Sequence, residues 1–183
     1  MNKKGKGTDI PEKQQGGVSI KRFALTYVVL MGIFFFVIGF VPLQRVFDVN
    51  GVYTGMITKI TAKILGVAGI PAVCQGSVIA LPSISLDVKF GCNGLEAVMI
   101  YAVAVIAFPA SWKKKALAIL AGLVIIQVIN VLRIAGLAYA GIHYRQLFEY
   151  MHIYVAQGMM IAVSFFTFLG YLHYATPAER KDH

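Results

Sequence analysis

The chain alternates long apolar blocks with short polar ones. Four blocks stand out: Phe23 to Leu43, Leu95 to Ala110, Ala116 to Ala140 and His152 to Leu172. Crossing a hydrocarbon core of ~30 Å takes roughly 20 apolar residues, so each block predicts a transmembrane helix. The second reaches that length only if it begins at Cys92 or runs into Trp112. The first exceeds the roughly 7–15 apolar residues of a signal peptide, so it is expected to remain as an anchor. Between the first and second blocks the pattern changes twice. Val52 to Gly69 has helical spacing, with Val52, Met56, Ile57, Ile60 and Ile64 toward one side and Lys59 and Lys63 on another. An amphipathic helix lying on the outer membrane surface is expected there. Turn chemistry at Gln75-Gly76-Ser77 and Pro82-Ser83 follows, then period-two alternation over Ile84 to Val88, which predicts a small β-hairpin.

The expected fold is therefore an all-α polytopic membrane protein. It has about four transmembrane helices plus an extracytoplasmic amphipathic helix and a small β-hairpin. Residues 1–20, rich in Lys, Gly and Gln without periodicity, read as a disordered cytoplasmic tail. Residues 21–174 form the membrane domain, with 52–90 as its extracytoplasmic part, and 175–183 form a second cytoplasmic tail.

Composition agrees. Of 183 residues, 58% are hydrophobic and 14% charged, with a mean hydropathy of +0.72. A soluble domain is about a quarter charged, so a water-soluble globule is excluded. The net charge of +9 is a matter of placement. Lys3, Lys4, Lys6, Lys13, Lys21 and Arg22 precede the first span, Lys113 to Lys115 join the second and third, and Arg180 and Lys181 follow the fourth. Those clusters fall on one side of the membrane if it is the cytoplasmic side. Both termini are then cytoplasmic, and residues 44–91 and 141–151 lie outside. Charge so arranged reads as a topology signal and not as a nucleic-acid surface.

Ionisable groups within spans are costly and are functional candidates for that reason. Glu96 lies one turn past Cys92, Arg133 lies in the third span one turn beyond Asn130, and His152 opens the fourth. The alternating directions of the spans bring Cys92, Glu96, Arg133 and His152 to one depth, near the outer surface. Each has a plainer reading: Cys92 as a small buried apolar group, His152 as an interfacial histidine, Arg133 as a snorkelling side chain, and Glu96–Arg133 as a structural ion pair. Tyr139, Tyr144, Tyr150 and Tyr154 read as an interfacial aromatic belt. Cys74 and Cys92 both fall on the side where disulfides form, which leaves a bond between them open.

Taken together, the four groups have the parts of covalent acyl transfer. A cysteine at a helix N-terminus is placed where the macrodipole favours a thiolate. Arg133 supplies a positive charge for an oxyanion, and His152 has the range to move a proton. Glu96 and Asn130 are expected to orient Arg133. One Cys and one His fall short of the ligand set of a zinc site, so neither a metal nor a cofactor is expected.

Three ordered stretches carry a resemblance: Gly91-Cys92-Asn93-Gly94-Leu95-Glu96-Ala97, residues 127–134 (QVINVLRI) and residues 147–157 (LFEYMHIYVAQ). They resemble the signature blocks of the exosortase/archaeosortase family. The short chain and the AFPASW turn at 107–112 resemble its compact exosortase H type. The resemblance implies a polytopic transpeptidase that cuts C-terminal sorting signals of the PEP-CTERM type from exported proteins. Such a signal is a short motif, a membrane helix and a basic tail. It implies Cys92 as nucleophile, Arg133 and His152 as its partners, and less settled parts for Asn130 and Glu96. Cys74 lies outside every block and is expected to be dispensable, and Arg145 matches none of them. The implied partners are those exported proteins and membrane lipid, with no nucleic acid. Two other readings stay open: a peptidase with water as its acceptor, and a non-enzymatic scaffold or small transporter with a structural Glu96–Arg133 pair.

Overall fold

The computed structural model describes residues 19–39, 49–150, 152 and 156–176. The two tails at 1–18 and 177–183, the far end of the first expected span at 40–43, and Tyr154 lie outside the described residues. The elements in chain order are α1 (Ile20–Gly39), α2 (Val49–Val67), β1 (Val73–Gln75), β2 (Val78–Ala80), β3 (Ser85–Asp87), α3 (Leu95–Ala107), α4 (Trp112–His143), α5 (Arg145–Tyr150) and α6 (Ala156–Ala175).

Three helices, α1, α4 and α6, are long and apolar enough to span a membrane. Their outward faces carry exposed Leu25, Val28, Phe36, Leu120, Val124, Leu132, Phe165 and Phe166. A belt of that kind is disfavoured in water and suited to lipid. The second expected span is shorter than the sequence suggests. α3 has 13 residues, about 20 Å at 1.5 Å per residue. Pro109 ends it, because the residue before a proline is driven out of the helical region; Phe108 accordingly adopts φ −74°, ψ 134°.

What α3 lacks in length it makes up in enclosure. Ala97, Val98, Met99, Tyr101, Val103, Ala104 and Val105 are all buried, and α1, α4 and α6 pack around it. The Tyr101 hydroxyl donates to the carbonyl of Ala118 at 2.8 Å. The ring crosses α4 over Gly122, where a β-carbon would collide with the Tyr101 ring. At the opposite end of α3, Lys115 donates to the Ile106 carbonyl at 2.7 Å and Lys114 to the Ala175 carbonyl at 3.4 Å. The lysine run thus satisfies carbonyls at the C-terminal ends of α3 and α6, where positive charge also opposes the helix dipole.

α4 holds 32 residues, about 48 Å, which is longer than a ~30 Å core requires. Its surplus C-terminal third is clad by α2 and the sheet. Val131, Ile134 and Ala138 form one apolar cluster with Ile57, Leu65, Ile79, Leu81 and Val88. The expected hairpin is a three-stranded antiparallel sheet in the order β1-β2-β3. The alternation at Ile84 to Val88 is its third strand, pairing Ser85 with Ala80 and Asp87 with Val78. In α2 the stripe Val52, Met56, Ile60 and Ile64 is exposed as expected, but Ile57 turns inward beside Thr54, Thr58 and Thr61. The inner face of this helix is therefore polar as well as apolar.

Candidate active site

The site is built around the turn that joins the sheet to α3. The amides of Cys92 and Asn93 both donate to the Lys89 carbonyl, at 2.9 and 3.1 Å. Glycines at 91 and 94 take the left-handed conformations, φ 89° and 79°, that close such a turn. α3 starts only at Leu95, with Gly94 as its cap, so Cys92 lies in the turn ahead of the helix rather than at the helix N-terminus expected from the sequence. Asn93, fully buried, holds the turn in place. Its Oδ1 accepts from the Leu95 amide at 3.0 Å, while its Nδ2 donates to Asn50 Oδ1 and Thr54 Oγ1, both at 2.8 Å. The polar inner face of α2 thus anchors the cysteine turn.

Gly94 sits directly on α4. A β-carbon there would lie 2.7 Å from Asn130 Nδ2 and 2.9 Å from Gln127 Nε2. Gln127 donates in turn to the Tyr53 hydroxyl of α2. Asn130, expected to orient Arg133, instead forms the floor beneath Gly94. Gly69 has the same φ of 79° with nothing within 4 Å of its would-be β-carbon, which permits a matched comparison. Gly94→Ala is expected to lower unfolding stability by about 2–4 kcal/mol through backbone strain plus a clash with buried amides. Gly69→Ala should carry only the strain, about 1–2 kcal/mol. Denaturant titrations of both variants in one detergent would check the gap.

Three of the expected residues meet. His152 Nε2 lies 3.7 Å from Cys92 Sγ. The Arg133 guanidinium, only 6% exposed, reaches the same sulfur, with which it interacts electrostatically. His152 stands ahead of α6 rather than inside the span, and Phe148 of α5 stacks on its ring at 5.8 Å and 16°. Burial, and secondarily the charge of Arg133, hold the imidazole pKa below its ordinary value of 6.5. Neutral His152 is therefore the prevailing form near pH 7, with one nitrogen free to accept a proton.

The expected Glu96–Arg133 pair is absent. Lys89–Asp87, at 3.6 Å, is the salt bridge found among the described residues. Glu96 is half-buried in the first turn of α3, where an acid suits the helix dipole. Its carboxylate turns back toward Gly91, 3.5 Å from where a β-carbon would stand. Arg133 Nε and Nη1, Asn130 Oδ1 and His152 Nδ1 are instead buried without a hydrogen-bond partner. Buried polar atoms are rarely left unpaired, and here three of them lie on the two residues that flank one sulfur. Cys74 and Cys92 are both free. The Cys74 thiol, on β1, donates to Thr58 Oγ1 at 3.2 Å.

Two positioning residues escape the sequence reading. Asn93 had a usable signal, a lone asparagine between two glycines. Gln127 had one too, a half-buried polar side chain one helical turn before Asn130 in an apolar span.

Fold and site together define a polytopic helical membrane protein with a cysteine, a histidine and an arginine gathered at one end of its bundle. The family model described as transmembrane exosortase (Exosortase_EpsH) matches residues 19–170, and the chain belongs to that family. Searches of curated proteins and of solved structures returned no match.

Proposed function

We propose that this protein is a membrane-embedded cysteine transpeptidase that cleaves C-terminal sorting signals of exported proteins through a thioester. The observation that supports it most is the placement of a buried arginine with two unpartnered guanidinium nitrogens beside a cysteine–histidine pair. A neutral imidazole at 3.7 Å takes the thiol proton as Cys92 Sγ attacks the scissile carbonyl. The carbonyl oxygen becomes an oxyanion, and the free N–H groups of Arg133 are the donors available to it. On collapse the C–N bond breaks and His152 gives its proton to the departing amine. An acyl-thioester on Cys92 remains, and an incoming nucleophile releases the chain and restores the thiol. The substrates are exported proteins ending in a motif, a membrane helix and a basic tail. Cleavage takes place at the periplasmic face of the inner membrane, with both termini of the enzyme in the cytoplasm.

The scaffold reading rested on a structural Glu96–Arg133 pair, which the fold does not form. Hydrolysis and transfer differ only in the nucleophile that resolves the thioester. Mass spectrometry of the mature substrate's new C-terminus tests this: an added amine-bearing group is expected, and a free carboxylate on every molecule would reduce the enzyme to a peptidase.

A further inference from the structure

Arg145 belongs to none of the three stretches that carry the family resemblance, and it lines a groove among the described residues. That groove, about 540 Å³, runs between β3 and α5, with Ser83, Ser85 and Leu86 on one side and Gly141, Arg145 and Phe148 on the other. Its volume is within the roughly 300–1,000 Å³ of ligand sites. Phe148 connects it to the chemistry, since the same ring stacks on His152, whose Nε2 faces Cys92.

The strand wall is open. Leu81 donates to Ile84, and Val88 to Ser77, which fixes residues 84, 86 and 88 as the positions whose amides and carbonyls face β2. By the alternation of an antiparallel ladder, the backbone groups of Ser85 and Asp87 point away from the sheet toward its free edge. An unprotected edge invites pairing with another extended chain. The charges are complementary to an acidic visitor. The Asp87 carboxylate is already held by Ser77 Oγ at 2.8 Å and by Lys89 at 3.6 Å. Arg145, exposed, has no acidic partner among the described residues.

We infer that this groove binds the substrate's extended segment as a fourth strand on β3, with Arg145 pairing with a carboxylate side chain of that segment. The inference rests on the transpeptidase reading for the identity of the occupant. Backbone pairing supplies sequence-independent affinity, and the arginine sets specificity, as in other strand-addition sites.

The test uses the full chain carrying Cys92→Ala in detergent micelles, so that binding is read without turnover. The probes are fluorescein-labelled ten-residue peptides of Ser, Thr and Val, with one Glu walked through every position and Gln and Lys twins of each. Fluorescence anisotropy is expected to find a register at which the Glu peptide binds at least tenfold tighter than its Gln twin. Arg145→Gln should erase that difference and Arg145→Glu should transfer the preference to the Lys twin. N-methylation of the peptide backbone should weaken binding at alternate positions only. Equal binding of Glu and Gln twins at every position, no binding at all, or a preference surviving Arg145→Gln would overturn the inference. Charge-selective binding here, joined to no processing by the wild-type enzyme, would remove the transpeptidase reading and leave the groove as assigned. Processing that is indifferent to Arg145 would remove the groove alone.

Discussion

Cys92→Ala is expected to abolish processing of an exported substrate in membranes while leaving the protein folded. The sulfur is half-buried at the edge of an apolar cluster, so losing one atom costs little packing. The turn around it is held by the Asn93 side chain and the Lys89 carbonyl, none of which involves the thiol. With the nucleophile gone, activity should fall at least about a thousandfold, the scale seen when a covalent catalyst is removed. Cys74→Ser should be close to neutral, because Cys74 is occupied with Thr58 and is not bonded to Cys92. Pulse labelling of the precursor and mature substrate, with thermal unfolding of both variants, would show the contrast. Equal processing by both variants would remove Cys92 from the chemistry.

Arg133→Gln separates catalysis from stability more sharply. A buried charge whose N–H groups are largely unpaired does not repay its desolvation. A residue kept for folding would lose stability on replacement. Arg133→Gln is instead expected to leave the unfolding midpoint unchanged or raised while activity falls about 100- to 1,000-fold, the loss of oxyanion donors. Arg133→Lys keeps the charge without the planar fork and should fall between. The pH profile gives a second reading. His152 acts in its neutral form, and its pKa lies below 6.5 through burial first and Arg133 second. The wild-type acid limb should therefore lie below pH 6.5. Removing the arginine charge removes one of the two lowering causes, so the residual activity of Arg133→Gln should have its limb displaced toward 6.5. A limb that moves to lower pH, or a variant that unfolds readily, would contradict this assignment.

The site was more legible in the sequence than its supports. Cys92, Arg133 and His152 could be found because ionisable and reactive side chains in apolar spans are few, and span direction alone sets their depth. Glu96 was misjudged because depth fixes neither rotamer nor partner; its carboxylate turns toward Gly91 while the arginine stays unpaired. Asn130 was placed on the buried face of α4, but its close approach to the cysteine turn was not foreseen. The residue above it is Gly94, and that contact depends on a left-handed turn that no hydrophobic pattern records. Asn93 was missed because its partners Asn50 and Thr54 are some forty residues away. α2 hid its function for a related reason. Its apolar stripe dominates the pattern, yet in a membrane protein the stripe can face outward while small polar residues at helical spacing, here Thr54, Thr58 and Thr61, face the packed side. The short third strand was visible as alternation and the Pro82-Ser83 turn as composition, but the two turns read as one hairpin where they join three strands.

The central claim is that Cys92 carries the substrate as a thioester. Intact-protein mass spectrometry tests it most directly, on the enzyme co-expressed with an exported protein that ends in a motif, a membrane helix and a basic tail. An adduct with the mass of the cleaved substrate chain is expected. That adduct should map to the peptide containing Cys92, be released by neutral hydroxylamine, and be missing from Cys92→Ala. Substrate cleaved at a normal rate by Cys92→Ala, or an adduct mapped to any other residue, would contradict it.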